Sequence, residues 1–249
     1  MILQEIAVRN FDWLRSNPYP GRGIVIGQMK GKDDYVQIYW IMGRSGNSRN
    51  RIFVKDGSGF VRTEVFDKNQ PYDPQLTIYF ALKHAGPHHV VTNGRHTDAI
   101  IDVLNAGGSF ERGLDAWQFE SDPPNYTPRI AGVLEIVDQT GRYELSVLKS
   151  LTNDPRYSTK QYFRYPTPVP GIGHCITTYA GDGTPLPSFA GEPLPVPLEG
   201  DIERIANDYW NALNTDNKVA LAVKTVNKND HAFKIRIINK LGQIPKEIR

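Results

Sequence analysis

Gly23-Ile-Val-Ile-Gly27 and, after a polar turn, Tyr35-Val-Gln-Ile-Tyr-Trp-Ile-Met42 decide the fold class of this chain. In the second stretch Val36, Ile38, Trp40 and Met42 alternate with Gln37, Tyr39 and Ile41, the period of two that belongs to a strand. Both faces are rather apolar, as in a sheet covered on two sides. Working outward, short strands are expected at 52–55 and 60–66 around Asp56-Gly-Ser-Gly59, and at 76–83 and 88–92, broken by Gly86-Pro87.

The period then changes. Thr97 can cap a helix whose Ile100, Ile101 and Leu104 share a face and which ends at Gly107-Gly108. Ser109 can cap a second helix with Phe110, Leu114 and Trp117 on one stripe. Strand patterns return at 130–137 and 143–148, joined by a turn at 139–141. Residues 155–198 hold 9 of the 18 prolines and are expected to be mostly extended loop, with a short strand near 175–179. Tyr162, Phe163, Tyr165 and Phe189 mark this segment as an ordered covering loop rather than a solvated linker. A helix from Asp201, carrying Ile202, Ile205, Tyr209 and Leu213 on one face, precedes a hairpin of 219–226 and 233–238. The order predicts one α+β layered domain over 1–249, not a doubly wound parallel sheet.

Composition narrows the function. Lys+Arg 29 against Asp+Glu 27 among 249 residues leaves a formal charge of +2, too little for a non-specific nucleic-acid or anionic-membrane binder. Hydrophobic residues at 39% suffice for a substantial core. Cys175 is the only cysteine, which rules out an intrachain disulfide or a cysteine-built zinc site and fits a reducing compartment. With no leader pattern and no long apolar run, a soluble cytoplasmic protein is expected. A homo-oligomer remains open.

Several motifs bear on chemistry. Gly21-Arg-Gly23 with Gly27 precedes a strand instead of joining strand to helix, so it is not a dinucleotide loop, and no Gly-x-x-x-x-Gly-Lys-Ser/Thr occurs. Gly43-Arg-Ser-Gly-Asn-Ser-Arg-Asn-Arg51 places three arginines in a loop, either a phosphate grip or a solvated basic turn. Asn93-Gly-Arg-His-Thr-Asp98, between strand and helix, reads as an anion site or as an ordinary turn with its cap. His84, His88 and His89 invite a metal, but His88 and His89 point to opposite sides of a strand, and the structural reading is favoured. Cys175 reads as buried and inert, and no Gly-x-Ser-x-Gly elbow exists.

Four segments in order, 19–27, 43–51, 91–98 and 127–131, resemble the archaeal-type IMP cyclohydrolase family over about residues 19–135. The resemblance implies a four-layer αββα sandwich like that of N-terminal-nucleophile hydrolases, without a terminal nucleophile, since Met1-Ile2 offers none. It implies a purine-nucleotide pocket with Arg22 and Arg51 as phosphate or carboxamide contacts and Arg44 and Arg49 as further candidates. Asn93, Gly94, Thr97 and Arg129 would position imidazole and ribose. Tyr79 and Glu120 correspond, after a one-residue gap, to the family's active-site tyrosine and glutamate; with Arg51 they form the expected catalytic set. The implied reaction closes the purine ring and needs no metal or organic cofactor. A non-catalytic nucleotide sensor and an amide hydrolase are the alternatives.

Overall fold

The doubly apolar strand at 35–42 lies in the middle of a sheet with other layers on both sides. The computed structural model describes residues 2–152 and 154–242. In chain order the elements are α1 (Leu3–Ser16), β1 (Gly23–Gln28), β2 (Asp34–Met42), α2 (Gly46–Arg49), β3 (Arg51–Lys55), β4 (Val61–Val65), α3 (Pro74–Thr77), β5 (Phe80–Ala85), β6 (His88–Thr92), α4 (His96–Asn105), α5 (Phe110–Gly113), β7 (Arg129–Val137), β8 (Thr140–Leu151), β9 (Asp154–Tyr165), β10 (Ile172–Thr177), β11 (Leu194–Pro197), α6 (Ile202–Ala212), β12 (Lys218–Asn227) and β13 (Phe233–Asn239).

Six strands form one sheet in the order β11-β10-β1-β2-β12-β13, and seven form another in the order β3-β4-β5-β6-β7-β8-β9. Pairing within both is antiparallel. Ile24, Ile26, Tyr39, Ile41 and Ala222 of the first sheet share a core with Val91, Ile130, Leu134 and Leu145 of the second. The opposite face of the first sheet, with Val25, Val36, Trp40 and Leu221, packs on Phe11 and Leu14 of α1 and Ile205 and Tyr209 of α6. On the second sheet Val90, Ala131, Val133 and Leu148 pack on Ile100, Ile101 and Leu104 of α4 and Phe110 of α5. Burial on both faces explains why β2 and β12 read as nearly continuous apolar runs.

The structure corrects several sequence expectations. An amphipathic helix that the expectations omitted, α1, occupies residues 3–16; it buries only Ala7, Phe11 and Leu14, and Ile2 at its cap offers no capping side chain. Residues 154–165, expected as loop, form the edge strand β9, where the missing N–H of Pro155 is tolerated. The expected strand at 76–83 begins as the short helix α3, capped by Asp73, and becomes extended only at Phe80. Thr97 is not the cap of α4, whose N-cap is Arg95. Its hydroxyl is instead drawn inward to the carbonyls of Phe80 and Gly94. The hairpin between β7 and β8 turns at Asp138 and Gln139, both at positive φ, one residue earlier than expected. Ser109 and Asp201 do cap α5 and α6, but α5 is a single turn.

β1 and β10 approach so closely that a Cβ on Gly27 would lie 2.3 Å from the Ile172 carbonyl oxygen and 2.4 Å from Gly173 Cα. Gly27→Ala must therefore shift backbone. We expect a loss of about 1–3 kcal/mol, read as a lowered Tm; an unchanged Tm would contradict the close approach.

Candidate active site

At one end of the inter-sheet core a cleft of about 290 Å³ opens. Arg22 enters from the residue before β1, its backbone clamped by Thr178: the Arg22 N–H donates to Thr178 Oγ1 at 3.1 Å, and the Thr178 N–H returns to the Arg22 carbonyl at 2.8 Å. Arg51 opens β3, and its Nη1 donates to the Leu76 carbonyl at 3.3 Å. Glu120 comes from the loop before β7, fixed by its N–H to the Thr127 carbonyl at 2.8 Å. Asp122 ties that loop, accepting from the Thr127 N–H at 2.7 Å. The Thr127 and Tyr179 hydroxyls lie 2.6 Å apart.

The charges are concentrated and buried. Glu120 is 4% exposed, with Oε2 3.9 Å from Arg22 Nη1 and Oε1 3.7 Å from Arg129 Nη1. Burial pushes its carboxyl above the usual carboxylate range, against the opposing pull of Arg22 and Arg129. Burial acts on Arg51 in the other direction, helped by repulsion from Arg22. Both Arg22 Nε and Arg51 Nε are buried and have no hydrogen-bond partner among the described residues. Such N–H groups are rarely left orphaned. A planar cation with a free, desolvated donor beside a cleft is suited to oxygen atoms of an anionic ligand.

Tyr79 is buried in the inter-sheet core behind the cleft, 5% exposed and close enough to Arg22 and Arg51 to interact with both charges. Its hydroxyl oxygen is 2.7 Å from that of Tyr39 on the inward face of β2. Burial holds the Tyr39 phenol far above its ordinary value, so it stays protonated.

The three arginines of the 43–51 loop diverge. Only Arg51 is buried at the cleft. Arg44 lies at the rim, paired with Asp182 and with its guanidinium 4.9 Å from the Tyr19 ring centre. Arg49 is exposed and braces loops, donating to the Gly43 carbonyl at 2.9 Å and to Asn217 Oδ1 at 3.1 Å. Of the 93–97 group, Asn93 is bound to the Pro128 carbonyl and the Ile130 N–H, and Thr97 to the backbone, so neither side chain faces the cleft. Gly94 has a clearer role: a Cβ there would lie 2.5 Å from Arg129 Nη1. Arg129 runs over Trp117 at 5.0 Å to reach Glu120.

The sequence reading expected a covering segment over 155–198 but missed Tyr39, Tyr179 and Leu186 as residues of the site. Tyr39 was visible only as a strand residue, and Tyr179 and Leu186 sit in the proline-rich segment, which supplies one wall of the cleft. Cys175 is buried on the helix-facing side of its sheet, and burial pushes its thiol up, away from reactivity. Ser45 and Ser48, also in the cleft, are spent on capping α2. Among the described residues no group of three or more His, Cys, Asp and Glu side chains could hold a metal ion, and no helix is long and apolar enough to cross a membrane.

Fold and site together define an α+β protein of two helix-covered antiparallel sheets with an arginine-lined cleft at one end. A family model of IMP cyclohydrolase-like proteins matches residues 19–231, and the chain belongs to that family. It is 27% identical over 199 residues to the IMP cyclohydrolase of Haloquadratum walsbyi, covering 77% of this chain and 83% of that protein. With the Methanopyrus kandleri IMP cyclohydrolase it shares 27% over 175 residues, 68% of this chain and 79% of the relative. The match to the Halobacterium salinarum IMP cyclohydrolase is 32% over 120 residues, 47% of this chain, and spans 57% of that relative's length.

Proposed function

We propose that this chain is an IMP cyclohydrolase, closing 5-formamidoimidazole-4-carboxamide ribonucleotide to inosine monophosphate with loss of water. The observation that carries the reading is the pair of buried guanidinium groups, Arg22 and Arg51, with unpartnered Nε–H donors beside Glu120 and Tyr79. The membership in the family and the named relatives support it. The two-sheet, helix-flanked architecture supports kinship with the N-terminal-nucleophile-hydrolase fold, and the absence of an activated nucleophile among the described cleft residues argues against amide hydrolysis.

Nucleophile and electrophile belong to one molecule, so the protein's task is to rotate the carboxamide and formamido groups into the imidazole plane, stabilise the tetrahedral oxyanion and move protons. The carboxamide nitrogen attacks the formyl carbon. The former formyl oxygen then leaves as water with one hydrogen from the carboxamide nitrogen and one from the formamido nitrogen. Glu120 takes the carboxamide proton and returns it to the departing hydroxyl, while Tyr79 donates to the formyl oxygen and recovers its proton from the formamido nitrogen. Tyr39 is a positioning residue: its O–H donates to the Tyr79 oxygen, which leaves the Tyr79 proton free to point into the cleft. Arg22 and Arg51 grip phosphate or carboxamide oxygens, and Arg129 holds Glu120. Arg44 and Asp182 close the rim, and Gly94 leaves the space in which Arg129 lies.

Inosinate formation from the formylated ribotide, followed by ultraviolet absorbance with chelator present, tests the reading. Catalytic turnover supports it; tight inosinate binding without turnover would replace it with a nucleotide sensor. Arg51→Met should weaken inosinate binding about 10–100-fold, the worth of one charge-assisted contact, with little change in saturated turnover. Calorimetric titration checks this, and wild-type affinity would remove Arg51 from the binding set.

A further inference from the structure

Deeper between the sheets, beyond Tyr39 from the cleft, lies a second polar cluster that the reaction does not use. Lys224 of β12 is the cross-strand partner of Gln37 of β2, and His84 of β5 is the partner of His89 of β6. The two pairs meet across the gap: Lys224 Nζ is 3.3 Å from His84 Nδ1, and Gln37 Nε2 donates to the His89 carbonyl at 2.9 Å. The His84 and His89 rings stack at 5.6 Å. Lys224 and Gln37 are 0% exposed and His89 is 2% exposed. Phe233 of β13 closes the outer side, its ring centre 4.6 Å from Lys224 Nζ and 4.9 Å from the His84 ring.

The hydrogen bonding of this cluster is incomplete. Both His89 ring nitrogens and Gln37 Oε1 are buried without partners among the described residues. Lys224 is a buried amine for which burial is the sole cause of a lowered proton affinity, with no carboxylate pulling the other way. The acid within electrostatic reach of His84, Asp56, is tied to its own turn by the N–H groups of Ser58 and Phe60. The other charged neighbours of His89, His88 and His231, are imidazoles that add positive charge when protonated. An ammonium in such a place is unstable unless a counter-ion accompanies it, and water satisfies donors without neutralising charge.

We propose that this cluster binds a small monovalent anion, with chloride as its simplest occupant, held between the Lys224 ammonium and a His89 ring N–H. A protonated Lys224 has hydrogens for His84 Nδ1 and for the anion, and the anion gives an orphaned His89 ring N–H its partner. The burial of Gln37, His89 and Lys224 restricts the occupant to a small, weakly hydrated ion. Binding takes up a proton. Without the anion Lys224 titrates at about 7, while His84 and His89 lie lower, at about 4 and about 2. The anion therefore binds fully below about pH 7, and its affinity falls about tenfold per pH unit above that. The site is independent of the catalytic reading and stands or falls separately.

Thermal unfolding of the full chain in sodium chloride and in sodium gluconate at equal ionic strength tests the proposal. At pH 6.5, chloride at roughly ten times its dissociation constant should raise Tm by about 3–6 °C over gluconate. The difference should shrink at pH 9 and vanish in Lys224→Met. Equal Tm values in the two salts at pH 6.5, or a chloride effect that survives in Lys224→Met, would overturn it. Bromide-soaked wild-type crystals give a second readout that needs no variant: an anomalous peak beside Lys224 and His89 supports the site, and bromide found only at the surface refutes it.

Discussion

Glu120→Gln should lower saturated turnover of the formylated ribotide by about 10²–10⁴-fold, the usual worth of a positioned acid–base group, while leaving KM unchanged or lower. The substitution keeps the shape of the side chain and leaves the loop anchor, a backbone bond from the Glu120 N–H to the Thr127 carbonyl, untouched. What it removes is the proposed proton acceptor and the negative charge between Arg22 and Arg129. Those guanidinium groups then face an anionic nucleotide with less internal competition, so affinity should not fall. The pH profile gives an independent check. A base must be ionised, so wild-type turnover should decline as pH falls through the Glu120 pKa. Burial has raised that pKa, placing the acid limb above the usual carboxylate range. Glu120→Gln should lack this limb. Turnover at the wild-type level with the limb retained would show that another group takes the proton.

Tyr79→Phe should cost turnover on the same scale, about 10²–10⁴-fold, because it removes the hydroxyl proposed to donate to the formyl oxygen. It should also lower Tm: the Tyr39 hydroxyl, fully buried and bonded to Tyr79 at 2.7 Å, loses its partner, a penalty of about 1–3 kcal/mol. Tyr39→Phe separates chemistry from packing. It removes the bond that orients Tyr79 and keeps the donor, so turnover should fall by only about tenfold, with KM unchanged. The ranking is the test. If the two variants lose activity equally, Tyr79 acts as a scaffold, and if both retain wild-type rates, neither phenol moves a proton.

Much of the sheet architecture was legible because its strands are buried on one or both faces. Alternation placed β1, β2, β6 and the β12–β13 hairpin close to their observed bounds, and the carboxylate and hydroxyl caps at Asp201 and Ser109 marked helix starts. Elements that bury little escaped. α1 anchors through three buried residues with no side-chain cap, and β9 is a half-exposed edge strand whose polar residues impose no period. Thr97 misled for another reason: a hydroxyl near a helix start can cap it or serve the neighbouring strand, and here the Phe80 carbonyl takes it.

The residues themselves determined the inventory: a near-neutral chain with a single, buried-type cysteine, no glycine-rich phosphate loop, arginines gathered near strand ends, and a tyrosine and a glutamate that the resemblance to the family singled out after a one-residue gap. Local periodicity determined that two-sided sheets would form. Only the tertiary structure decided which arginines converge. Arg51 turns into the cleft while Arg44 and Arg49, in the same loop, are held by Asp182 and Asn217. It likewise paired Tyr39 with Tyr79 and set Lys224 against His84 and His89. These meetings depend on strand order and on the register of one sheet over the other. Both are set by packing between segments far apart in the chain, about which the local alternation of apolar and polar residues carries no information.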